Sequence, residues 1–129
     1  KTYYAIIEGH FDPKAAIIDI PIERHPRDPK TFRTSASGKP AITEYKVIKN
    51  SPHYNLVELK PRTGRTHQLR VHLNHLGHPI IGDEFYKGTS SDRLYLHAQK
   101  LELTLPSRIR KVFEVPLPPA FNTMMENDG

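Results

Sequence analysis

The sequence predicts an α+β domain, with a largely antiparallel mixed sheet and one principal helix. Three observations lead there. Short runs rich in aromatic and β-branched residues recur along the chain, separated by turns of Gly, Pro, Asn and Ser. One stretch, from about Thr66 to Leu76, carries apolar residues at helical spacing and ends at a clear stop signal. A length of 129 residues suits one domain, since a chain of this size buries roughly two-thirds of its unfolded surface.

The elements follow in order. Lys1 to Gly9 reads as a strand, with Tyr3, Ala5 and Ile7 on one face and Tyr4, Ile6 and Glu8 on the other. Apolar groups on both faces predict a sheet covered at least partly on both sides. A turn at Asp12-Pro13 leads to a second short strand, Ala16 to Ile22. Glu23 to Lys30 is a predicted loop, because Pro26 and Pro29 remove donors and fix φ. Thr31 to Ala36 reads as a short strand, and Ser37-Gly38-Lys39-Pro40 as a turn. Ile42–Lys49 and Tyr54–Leu59 are two strands of an antiparallel hairpin, joined by Asn50-Ser51-Pro52-His53.

The helix comes next. Gly77 supplies its C-terminal left-handed position and Pro79 forbids its continuation. Leu69, Leu73 and Leu76 form the stripe expected to face the sheet, while His67, Arg70 and Asn74 gather on another side. His78 to Tyr86 is a compact loop, and Leu94–Leu105 and Val112–Val115 are two further strands. A short last helix is expected from Pro118, with Met124 and Met125 as its packing residues.

Composition narrows the function. Lys and Arg outnumber Asp and Glu by 19 to 14, and the pI is about 9.5, a balance that modestly favours a polyanionic partner. The absence of cysteine excludes disulfides, thiolate metal sites and a thiol nucleophile, and fits a reducing compartment such as the cytoplasm. No apolar run approaches the ~20 residues of a membrane span. The chain opens at Lys1 directly in a strand-like run, from which we expect a C-terminal portion of a longer protein, a single and truncated domain.

The densest chemistry lies in Lys60-Pro61-Arg62-Thr63-Gly64-Arg65-Thr66-His67-Gln68-Leu69-Arg70-Val71-His72. It sets basic side chains around a strand-to-helix junction, where the N–H groups of the first helical turn and nearby arginines suit an anion. Gly64 offers a close approach without a side chain. The bland alternative is a solvated basic turn. His67, His72, His75 and His78 invite a metal reading, but their spacing does not bring three onto one face and no H-E-x-x-H occurs, so no metal is expected. Asp83 reads first as a loop carboxylate capping backbone donors, and second as an acid or base. These residues by themselves reach an anion-binding domain facing nucleic acid, without a reaction.

Leu59 to His72, followed by Leu76-Gly77-His78-Pro79-Ile80-Ile81-Gly82-Asp83 and Leu96-His97-Ala98, resembles the C-terminal half of the RluA-type RNA pseudouridine synthases. Lys1-Thr2-Tyr3-Tyr4-Ala5 resembles that family's Lys-x-Tyr strand, and Gly38-Lys39-Pro40-Ala41 with Thr43 and Tyr45 its next signature. The resemblance runs over nearly the whole chain in the family's order. It implies isomerisation of uridine to pseudouridine in ribosomal or transfer RNA, without metal or organic cofactor. By match to the motifs, Tyr3 would pack on the flipped base and assist proton removal at C5. Arg70 would pair with the catalytic aspartate of a His-Arg-Leu-Asp motif, and Lys60, Arg62, Arg65 and His67 would serve RNA phosphates. No His-Arg-Leu-Asp run occurs in these residues; Asp92-Arg93-Leu94 has the letters in another order. Arg70 is therefore expected to lack its carboxylate, with Asp19 and Asp83 poor stand-ins, and the chain alone to be inactive. A truncated sheet would leave an exposed edge and favour self-association. The alternatives are a non-catalytic RNA-binding module and, more weakly, a small enzyme for a phosphate-bearing ligand.

Overall fold

The computed structural model describes all 129 residues. Its frame is a six-stranded sheet in the order β2-β5-β6-β1-β7-β8, made of β1 (Thr2–Glu8), β2 (Ala15–Asp19), β5 (Ile42–Asn50), β6 (Tyr54–Pro61), β7 (Leu96–Thr104) and β8 (Arg110–Glu114). A two-stranded sheet, β3 (Ile22–Arg24) with β4 (Phe32–Thr34), stands beside it. Every strand pair is antiparallel, in keeping with the largely antiparallel sheet of the expected α+β fold. Two helices complete the fold, α1 (Gln68–His75) and α2 (Pro119–Glu126). Both are eight residues long, so α1 is principal by position and not by length.

β1 lies inside the sheet between β6 and β7, and its Ala5, Ile6 and Ile7 are fully buried. Consecutive residues point to opposite faces, so both faces are covered at this point, as the run of apolar residues predicts. The β5–β6 hairpin forms as expected, with Tyr45 opposite Leu59 and Val47 opposite Val57. The run expected as one strand from Ala16 to Ile22 is two. Pro21 has no N–H to continue the ladder, and the Ile20 carbonyl is taken by a side chain of α1. The chain therefore leaves the large sheet at Asp19 and re-pairs from Ile22, so the segment expected as loop from Glu23 begins in a strand.

α1 is shorter than expected. It starts at Gln68 because His67 adopts a left-handed conformation (φ 54°), which no helix can include. Gly77 takes the predicted left-handed position, at φ 82°. Leu69 and Leu73 are buried against the sheet, each contributing about 1.5–3 kcal/mol by removal from water. Leu76 is a correction: it lies past the last turn and remains exposed. Phe121 and Met125 of α2 enter the same apolar cluster, with Met124 partly buried against it. A smaller cluster of Ile22, Ala41, Val71 and Tyr86 ties the small sheet to the outer side of α1.

Candidate functional site

The junction between β6 and α1 is held by one side chain. The Gln68 amide oxygen accepts from the Thr63 hydroxyl (2.7 Å) and the Arg65 N–H (3.1 Å). Its amide nitrogen donates to the Ile42 carbonyl (2.9 Å) and to the Thr43 hydroxyl (3.0 Å). Ile42 N–H in turn donates to Thr63 (2.9 Å). The basic loop is thus fastened to β5 by a buried amide with all its bonds made, an arrangement that resists loop motion.

His72, one turn further along α1, extends the network. It is wholly buried, with Nε2 2.9 Å from the Ile20 carbonyl and Nδ1 2.8 Å from the Thr43 hydroxyl. A carbonyl can only accept, so Nε2 carries the proton and Nδ1 accepts from Thr43. Burial, above all, holds its pKa below the ordinary histidine value, consistent with a neutral ring. The other three histidines between His67 and His78 have separate partners: His67 meets Tyr86, His75 meets Thr34 and His78 meets the Glu8 carbonyl.

Around this junction lies a cavity of about 530 Å³. Tyr3 from β1, Arg62, Arg65 and His67 from the loop, and Arg70 from α1 all line it. The structure thus brings together Tyr3 and Arg70, which lie 67 positions apart in the chain. Arg62 is paired with Glu44, and Arg65 Nε donates to the Pro40 carbonyl (2.8 Å). Lys60 is not in this group. Its ammonium lies 3.8 Å from Glu58 and away from the cavity lining, because strand alternation turns it aside.

The expectation of free N–H groups through the first helical turn is corrected. The Gln68 N–H is occupied by the Arg65 carbonyl (3.1 Å) and the Val71 N–H by that of His67 (2.9 Å), so only the Leu69 and Arg70 N–H groups remain for a ligand. A Cβ at Gly64 would meet nothing within 4 Å, so the space beside this residue is open.

Arg70 is the larger correction, because it has a carboxylate. Its Nε and Nη2 donate to the two oxygens of Asp83, at 2.9 and 2.8 Å. Asp83 is buried and also accepts from the Phe85 N–H (3.2 Å), so its expected capping role holds as well. The loop after α1 folds back beneath Arg70, with Asp83 N–H on the Ile80 carbonyl and Gly88 N–H on that of Asp83. A thirteen-residue separation through a loop carries no periodic signal for such a pair. The side-on bond leaves Nη1 of Arg70 without a protein partner, while the guanidinium sits over the rings of Phe85 and Tyr86.

The His67 ring is wedged among Phe32, Phe85 and Tyr86, with Nδ1 2.7 Å from the Tyr86 hydroxyl. Burial first, and then the Arg70 charge, hold its pKa below the ordinary value. A neutral imidazole offers a phosphate a hydrogen bond and no charge. Gln68, Thr43 and Tyr86 are parts of the site to which the sequence assigns no role, and the pairing of Asp83 with Arg70 is likewise not foreseen. Only the close succession of polar residues in Thr63 to His72 hinted at the first of them.

The sequence profile of the family described as RNA pseudouridylate synthase matches residues 1–75. The chain is 39% identical over 132 aligned positions to ribosomal large subunit pseudouridine synthase D of Borreliella burgdorferi, covering 98% of this chain and 40% of that protein. It is 44% identical over 113 positions to the dual-specificity RNA pseudouridine synthase RluA of Escherichia coli, covering 83% and 52%. Among solved structures, human RNA pseudouridylate synthase domain containing 1 superposes with a TM-score of 0.84 at 32% identity, over 92% of this chain and 54% of that one. The chain therefore spans between two-fifths and about half of these relatives. With the motifs in order, the antiparallel sheet shared with the solved structure, and a profile match over more than half its length, this chain belongs to the RNA pseudouridylate synthase family, in its RluA-type branch.

Proposed function

We propose that these residues form the C-terminal portion of the catalytic domain of an enzyme that isomerises uridine to pseudouridine in ribosomal or transfer RNA. The observation that carries this reading is the convergence of Tyr3 and Arg70, from two matched motifs, on one cavity rimmed by Arg62 and Arg65. A uridine turned out of its stack would enter that cavity at a cost of a few kcal/mol, offset by stacking on the Tyr3 ring. Tyr3 would assist loss of the C5 proton after the glycosidic bond breaks, the uracil rotates and the carbon bond forms. Arg70, held side-on by Asp83, would offer Nη1 to an aspartate acting on the sugar, keeping that carboxylate ionised. Arg62 and Arg65 would meet RNA phosphates at the rim, with His67 as a neutral donor. The chemistry as proposed needs no metal or organic cofactor, and its setting is the cytoplasm.

The 129 residues contain no His-Arg-Leu-Asp run, so by themselves they should not turn over. Tritium release from RNA labelled at uridine C5 tests this. Release is expected from the chain joined to a family segment bearing that motif, and none from the chain alone. Turnover by the chain alone would defeat the inactivity claim, and no turnover by either, with RNA bound, would favour the second reading. That second reading is a non-catalytic RNA-binding module, favoured by the occupation of Arg70 by Asp83.

A further inference from the structure

A second cavity, of about 440 Å³, adjoins the first. Its walls include Arg24 and Phe32 of the small sheet, Lys39 of the following turn, and Gly64 and Arg65 of the basic loop. Gly64 and Arg65 line both cavities, so the two meet across them.

Three features of this place go beyond a general basic surface. Lys39 is exposed and makes no ion pair, yet its backbone is fixed by two 2.9 Å hydrogen bonds with Ile22, so its side chain starts from a rigid point. Arg24, on the cavity wall, lies over the Phe32 ring, 4.8 Å from its centre, and donates from Nη1 to the Pro29 carbonyl, leaving Nη2 without a protein partner. The one carboxylate on the wall, Glu23, is already bound by Arg33 and by the Ser37 hydroxyl. The cavity therefore presents Arg24, Lys39 and Arg65 against one neutralised acid.

Gly64 then acquires a reason. Its backbone is not in the left-handed region, and a Cβ there would meet no atom beyond its chain neighbours within 4 Å. A Cβ added there would stand in open space where the two cavities meet. The absence of a side chain keeps that passage low.

We propose that the second cavity is a phosphate subsite for the nucleotide flanking the one held in the first, with the RNA backbone crossing between them over Gly64. This rests on the RNA-modifying reading above and adds to it the path of the strand. Lys39 and Arg24 hold the flanking phosphodiester, and Arg65 stands between the two positions.

The test is the salt dependence of binding of a fluorescein-labelled seven-nucleotide oligouridylate to the 129-residue chain, read by anisotropy. Each phosphate contact on a single strand contributes about 0.7 to the slope of log affinity against log salt. Lys39→Gln should lower the slope by about 0.7 and weaken binding about five-fold at 0.1 M salt. Arg24→Gln should do the same, and circular dichroism checks that the small sheet survives it. Gly64→Val should keep the fold and weaken the oligonucleotide several-fold more than it weakens uridine monophosphate, whose binding is followed by NMR shifts. Arg62→Gln probes the first cavity. A slope lowered by Arg62→Gln and untouched by Lys39→Gln, with oligonucleotide affinity unchanged by Gly64→Val, would overturn the subsite alone. Failure of the unaltered chain to bind the oligonucleotide would overturn the subsite together with the RNA reading.

Discussion

α1 with its partner strands β5 and β6, and the β7–β8 ribbon at the other side of the sheet, are stabilised in different ways. In the first region Leu59, Leu69, Leu73, Gln68, Thr43 and His72 are all buried, and each polar group among them has a hydrogen-bond partner. In the ribbon every residue of β8 is exposed, and its Val112 and Phe113, like Val115 just beyond it, are about half so. Its ion pairs, Lys100 with Glu102 and Glu114 and Arg110 with Glu102, lie at the surface, where each is worth about 0–1 kcal/mol. The one buried side-chain atom without a hydrogen bond, Gln99 Oε1, is also on β7. Burial makes each residue near α1 specific, because a lost contact there cannot be replaced by water. The ribbon is held mainly by its backbone ladder, which is indifferent to side-chain identity.

The sharpest way to break this contrast is a pair of truncations. Leu73→Ala should cost about 4 kcal/mol, since Leu73 is wholly buried, whereas Phe113→Ala should cost under about 0.5 kcal/mol. Urea unfolding of both variants measures the difference, and equal costs would end the comparison.

Asp83→Ala comes next. Removing one member of a buried ion pair costs about 3–5 kcal/mol, and about 3 is expected here because the Arg70 side chain keeps 18% exposure. Such a loss in urea unfolding would leave Arg70 uncompensated in the site. Asp83→Asn, which retains the shape and one acceptor, should recover part of it.

The acid response should also be regional. His72 and His67 both have depressed pKa values, chiefly through burial, so the unfolded chain binds more protons than the folded one below its own pKa of about 6.5. Their contribution is present above that value and lost as pH falls through the folded pKa. Thermal unfolding between pH 7.5 and 5 should therefore weaken with acid, and His72→Gln should flatten the profile. Asp128 belongs to a lower window. Desolvation raises its pKa, but hydrogen bonds from Ser51 and from the backbone and ring of His53 outweigh this and bring it down to about 2. Its contribution is present above the ordinary carboxylate range and is lost as pH falls through about 2, so Asp128→Asn should leave the profile above pH 5 unchanged.

The smallest effect concerns association. β8 is an edge strand with exposed apolar side chains, blunted by Arg110 and Lys111. Weak concentration-dependent self-association by light scattering is expected, and Val112→Lys should abolish it. A monomer at every concentration would remove self-association from the description.

How much of this was legible before folding can be seen from particular residues. The β5–β6 hairpin, the left-handed Gly77 and the final helix with Met125 follow local rules, and each stands where the chain predicts it. The split at Pro21 and the late start of α1 at Gln68 were missed, since one depends on a sheet changing partners and the other on a histidine held left-handed by its surroundings. Tyr3 and Arg70 were singled out by motif, but periodicity is silent on whether two such residues meet.

Residue order therefore settled the α+β class, the family motifs and the basic loop from Lys60 to His72, because these are properties of neighbours along the chain. Packing settled that Lys60 turns away, that Gln68 fastens the loop and that Arg70 binds Asp83. Those outcomes depend on which distant backbone groups come within about 3 Å, and no linear pattern encodes that distance.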